Sequence, residues 1–143
     1  MTTKNFAMIM GVVYVLAGVL GFFAGPPPAG APDLTVTTGY GLLFGLFPIN
    51  VLHNIVHLGI GIWGLAAYRS MTGARNFARG LAVFYGVLAV MGLIPGLNTT
   101  FGLIPPFSHD VWLHAGTAVL AAYFGFAETT AAIGEERLTR RAS

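Results

Sequence analysis

Asn5-Phe6-Ala7-Met8-Ile9-Met10-Gly11-Val12-Val13-Tyr14-Val15-Leu16-Ala17-Gly18-Val19-Leu20-Gly21-Phe22-Phe23-Ala24 runs without a charged side chain, and a diverged copy of it begins at Asn76. Asn76-Phe77-Ala78 repeats its first three residues. At the same offset Val83, Tyr85, Val90, Gly92 and Gly96 stand for Val12, Tyr14, Val19, Gly21 and Gly25. A second set aligns without a gap: Phe44-Gly45-Leu46, Pro48, His57 and Gly59 against Phe101-Gly102-Leu103, Pro105, His114 and Gly116. Matches at fixed offsets are the mark of a duplicated unit. About 20 apolar residues are what a helix needs to cross a bilayer. The chain therefore reads as two tandem two-helix halves, about 5–68 and about 76–128.

Composition agrees. Of the 143 residues 55% are hydrophobic and 8% charged, against roughly 25% charged in a soluble domain. Asp, Glu, Lys and Arg are absent from 5–32, 34–68, 80–109 and 111–127. The helices of a soluble bundle carry charge on their outward faces, and these windows have none to offer. The expected fold is all-α: one integral membrane four-helix bundle over 1–143, with helices near Asn5–Ala24, Pro48–Tyr68, Asn76–Ile94 and His109–Phe126 and a tail from about 129. Pro48 suits a first helical turn, and Gly25-Pro26-Pro27-Pro28 stops the first helix. Lys4 and Ala29-Gly30-Ala31 loosely imitate a signal peptide. Phe6–Ala24 is longer than a signal core, however, and its counterpart lies in mid-chain, so it reads as a retained helix. The apolar stretches Tyr40–Phe47 and Thr100–Phe107 read as short interfacial segments.

Arg69, Arg75 and Arg79 lie between the second and third helices, and Arg137, Arg140 and Arg141 in the tail. The other two loops have neither Lys nor Arg, so both termini and the middle loop are expected in the cytoplasm. Halves repeated in one sense imply a pseudo-two-fold axis along the membrane normal. The basic residues are too few and scattered to bind nucleic acid. The partner in view is the bilayer, with a homo-oligomer or a larger membrane complex beyond it. Cysteine is absent, which excludes thiolate chemistry. No phosphate loop, nucleophile elbow or HExxH helix is present, so nothing points to an enzyme.

The chemistry is confined to one stripe. Asn50, His53, Asn54 and His57 share a helical face, as do Asp110, His114 and Thr117. The repeat pairs His53 with Asp110 and His57 with His114. His57 and His114 each follow the paired prolines, Pro48 and Pro105, by nine residues. That is ~13 Å along a helix, a common depth in the outer half of the bilayer. Ionisable groups in such segments are costly and point to function. His53, His57, Asp110 and His114 can surround one transition-metal ion, with Asn50, Asn54 and Thr117 orienting the rings. Alternatively, His57 and His114 are axial ligands of a b-type haem. In the bland reading the stripe is interhelical hydrogen bonding in a structural or accessory subunit of a larger complex.

Leu46-Phe47-Pro48-Ile49-Asn50-Val51-Leu52-His53-Asn54-Ile55-Val56-His57, Ile94-Pro95-Gly96-Leu97-Asn98 and Asp110…His114 resemble an uncharacterised bacterial family, domain of unknown function 4383. The resemblance covers roughly residues 5–127. It implies a four-helix topology and a multi-pass location in the bacterial cytoplasmic membrane, and it carries over no catalytic residue or ligand.

Overall fold

In a computed structural model, which describes residues 1–27 and 29–127, the chain forms four α-helices and one small hairpin. These are α1 (Thr3–Gly21), β1 (Gly41–Leu43), β2 (Phe47–Ile49), α2 (Val51–Ala67), α3 (Met71–Leu93) and α4 (His109–Ala122). A π-helical turn, Tyr123–Ala127, prolongs α4. Pro28 and the charged tail, with Glu135, Glu136, Arg137, Arg140 and Arg141, lie outside the described residues. Among the described residues α1 and α3 are long and apolar enough to cross a membrane, with mean hydropathy 1.6 and 1.5.

Local signals explain where the helices start. Thr2 caps α1, its hydroxyl accepting from the Asn5 N–H at 3.3 Å. Ser70 caps α3 through the Gly73 N–H at 3.0 Å. That helix therefore starts at Met71, five residues before the apolar stretch at Asn76, and carries Arg75 within it. Pro48 was expected in the first turn of α2. It lies instead in β2, paired with Leu42, because Asn50 takes the N-cap and holds the His53 N–H at 2.9 Å. A side-chain acceptor at the cap satisfies an otherwise orphan donor. Segment 40–47 is consequently a hairpin rather than a bare interfacial loop.

The helices pair as α1 with α2 and α3 with α4, with α3 also against α1 and α2. The first pair is a backbone contact. A Cβ on Gly61 would sit 2.6 Å from the Val15 nitrogen, and one on Gly11 would sit 2.8 Å from the Leu65 nitrogen. A Cβ on Gly86 would meet only the Ala118 Cβ at 3.9 Å. At the end of the bundle that holds the N-terminus, Phe6 stacks on Phe124 at 4.7 Å and meets Phe77 at 6.5 Å. The repeated Asn-Phe-Ala thus has a packing cause: Phe6, Ala7, Phe77 and Ala78 form the core. The π turn releases carbonyls from the helical ladder, and two are recovered. Thr3 Oγ1 donates to Phe124 O at 3.2 Å, and Arg79 Nε donates to Gly125 O at 2.9 Å.

At the opposite end the loops of the two halves are joined. The Thr35 and Val36 N–H groups donate to Gly102 O at 2.8 and 3.2 Å. The Asn50 amide donates to Val36 O at 2.9 Å and to Leu103 O at 2.7 Å. Phe44 and Phe101, which the repeat aligns, share positive φ values of 53° and 60°, each followed by a glycine at 71° and 83°. Both rings are exposed.

Candidate metal centre

Asn50 fixes the start of α2 and so places His53 one turn in, facing α4. Pro105 and Pro106 are buried just ahead of α4, and Ser108 turns into it at a φ of 60°. That start sets Asp110 and His114, one turn apart, on the face toward α2. All three side chains are buried, at 3%, 2% and 2% exposure. His53 Nδ1 lies 4.0 Å from Asp110 Oδ2, and one donor atom from each of the three lies within 4.8 Å of the others. Metal bonds of ~2.0–2.2 Å place neighbouring ligands roughly 3.0–3.4 Å apart. Closing on an ion thus requires donor movements of about 1 Å, within rotamer adjustment.

The four expected ligands are not equivalent. His57 is half-buried and stands beside the triad, its ring 4.4 Å from that of His53 and 5.4 Å from that of Tyr14. The three expected orienting groups separate too. The Asn50 side chain is consumed by its cap and two loop bonds. Asn54 is buried against Gly21 of α1, away from the triad, which explains that glycine: a Cβ there would overlap the Asn54 amide. Thr117 remains, beside the histidines.

Two site residues were not singled out from the sequence. Tyr85 packs its ring 4.8 Å from that of His114, and Tyr14 stacks on Tyr85 at 5.4 Å. The hydroxyl of Tyr14 has Tyr85 and Thr117 as hydrogen-bonding neighbours. The signal was available, because the repeat pairs Tyr14 with Tyr85. It pairs Phe6 with Phe77 and His53 with Asp110 as well, and each of these pairs meets in space.

The polar atoms of the stripe are unevenly partnered. His53 Nδ1, His57 Nδ1, His114 Nδ1 and Asp110 Oδ2 are buried and have no hydrogen-bond partner. At 4.0 Å the closest approach, His53 to Asp110, exceeds a hydrogen bond. Interhelical hydrogen bonding would use these atoms, and here it does not. Most buried polar groups in proteins are satisfied; here Asn54, Tyr40, Arg75 and Thr100 also carry unpartnered atoms, but only those of His53, Asp110 and His114 converge. The cavity beside them measures about 110 Å³. A cavity of ~150 Å³ holds benzene or xenon, and drug-sized or cofactor ligands need roughly 300 Å³ or more. An ion with a small co-ligand fits. The Tyr14 and Tyr85 rings stand beside His57 and His114, at 5.4 and 4.8 Å, and the cavity is smaller than cofactor ligands need.

No curated protein and no solved structure matches this chain. The family model for domain of unknown function 4383 matches residues 4–127, nearly the whole described length, and the chain belongs to that family.

Proposed function

We propose that this protein is a multi-pass membrane protein that holds one transition-metal ion between α2 and α4. His53, Asp110 and His114 are the ligands, with His57 adjoining them. The observation that carries this reading is the set of buried, unpartnered donor atoms on those residues. Two imidazoles and one carboxylate form the donor set of non-haem iron(II) sites, and three protein ligands leave a coordination position open. Zinc accepts the same set. The ligands come from elements that the sequence repeat aligns, with the aligned residues Phe6 and Phe77, Tyr14 and Tyr85, and His53 and Asp110 in mutual contact.

The membrane placement is supported by the exterior. Val12, Leu16, Val19, Val83, Val87 and Val90 are 46–64% exposed on the flanks of α1 and α3, a continuous apolar surface that water would not tolerate. The 14-residue α4 and its π turn of five residues together span ~28 Å, close to the hydrocarbon thickness. By the positive-inside rule Arg69, Arg75 and Arg79 lie in the cytoplasm, which puts the metal centre in the outer half of the cytoplasmic membrane.

The test is metal analysis of protein purified in detergent after metal-replete expression, wild type beside His114→Ala. About one ion per chain, lost in the variant, is expected. Less than about 0.2 ion per wild-type chain, with a stable heteromeric complex on a native gel, would replace the metal centre by an accessory-subunit role.

A further inference from the structure

The contacts between helices break the symmetry that the sequence repeat implies. Under that repeat α2 beside α3 corresponds to α4 beside α1. The first pair packs closely, whereas α1 and α4 stand farther apart and meet through the Tyr14 and Thr117 side chains. The gap between them leads to a cavity lined by Asp110 and His114 of the triad and by His57. Met10, Val13 and Ala17 of α1 and Leu113 of α4 form its rim, and Val13 and Leu113 are 47% and 51% exposed. Its floor is polar: Tyr14, His57, Tyr85, His114 and Thr117, with Asp110 beside them. The loop end is closed by the bonds of Asn50, Thr35 and Val36 and by the buried Pro48, Pro105 and Pro106. The route to the orphan donors thus runs through an apolar flank rather than through the loops.

We propose that a small uncharged, lipid-soluble molecule of diatomic size enters between α1 and α4 and occupies the open position of the metal, with the Tyr14 and Tyr85 hydroxyls as its hydrogen-bond partners. This rests on the metal reading above. Three observations fix the class of ligand. The apolar rim, set among acyl chains, strips the hydration of an ion at a cost no neutral gas incurs. A volume of about 110 Å³ falls below the ~150 Å³ that accepts benzene. The hydroxyls of Tyr14, Tyr85 and Thr117 meet on the same floor, where a bound dioxygen, nitric oxide or carbon monoxide finds donors.

Two measurements test it, one of them independent of metal. Metal-free crystals of the wild type under xenon pressure should show xenon between α1 and α4, and crystals of Ala17→Phe should not. In nanodiscs, iron(II)-loaded protein should form a nitrosyl complex with nitric oxide. Ala17→Phe and Leu113→Trp should slow that reaction by at least about 10-fold, with iron content unchanged. Val87→Phe, on the exposed flank of α3, should match wild type, and the anion azide should react far more slowly than nitric oxide. Xenon missing from the wild-type gap overturns the proposal. So does wild-type nitrosylation in both rim variants, or azide reacting as fast as nitric oxide. Iron missing from every preparation overturns the metal reading by itself, and the xenon result then decides the route alone.

Discussion

Asn50→Ala is expected to be among the most damaging single substitutions in the chain, although Asn50 binds nothing. One side chain makes three bonds. Its carbonyl accepts from the His53 N–H at 2.9 Å, and its amide donates to Val36 O at 2.9 Å and Leu103 O at 2.7 Å. Losing the cap costs about 1 kcal/mol. Each amide bond is worth ~1 kcal/mol net, and each carbonyl left shielded without a donor adds up to ~1 kcal/mol. The sum is about 3–5 kcal/mol, a large share of a typical domain's 5–15 kcal/mol. Asn50→Asp separates the contributions. It keeps the capping acceptor but sets a carboxylate against two carbonyl oxygens, so it should lose at least as much as Asn50→Ala. Asn50→Ser keeps a cap and loses the loop bonds, so it should fall at about 2–4 kcal/mol. Reversible unfolding in mixed dodecyl sulfate micelles, followed by circular dichroism, measures all three. An Asn50→Ala variant within 1 kcal/mol of wild type, or an Asn50→Asp variant equal to it, would falsify the assignment of Asn50 as the residue joining the two outer loops.

Four further outcomes are expected. His53→Ala and His114→Ala should each cost at least about 100-fold in metal affinity by titration, whereas His57→Ala, outside the triad, should cost about 10-fold or less; equal losses for His57 and His114 would mean a four-ligand site. Tyr85→Phe removes a hydroxyl next to Tyr14 and should lower stability by ~1–2 kcal/mol with metal content intact; loss of the ion would make Tyr85 a ligand. Gly61→Ala forces a methyl onto the Val15 backbone and should cost ~1–3 kcal/mol, while Gly86→Ala, whose methyl would make only an ordinary contact with Ala118, should be neutral or stabilising; reversal of that order would refute the α1–α2 packing. Iron(II) at 100 times its Kd should add about 2.7 kcal/mol to the unfolding free energy, and a chelator should remove it; an unchanged curve would mean the folded state holds no ion.

Much of the candidate site was legible because helical spacing is local. His53, Asp110 and His114 stand out as ionisable residues in apolar segments at one-turn intervals, and the duplication marks His53 and Asp110 as counterparts. The fates of Asn50 and Asn54 were not legible. Both lie on the same stripe as His53, yet Asn50 turns back to cap its own helix while Asn54 is carried against Gly21. Which side chain joins the His–Asp group and which meets a backbone depends on the rotation of α2 against α1, and no spacing encodes that. Tyr14 and Tyr85 were hidden for a related reason: a tyrosine in an apolar helix reads as core until a partner hydroxyl is placed beside it.

Charge-free windows, a repeated Asn-Phe-Ala and the Gly25-Pro26-Pro27-Pro28 stop were enough to determine four apolar helices and their order, because those properties are set within one or two turns of chain. Which histidine joins the aspartate, how wide the remaining cavity is, and that α1 stands away from α4 while α2 closes on α3 were decided only in three dimensions. Glycine contacts such as Gly11–Leu65 and Gly61–Val15 set the distance and roll of one helix pair. Those few ångströms separate a triad from a ring of four.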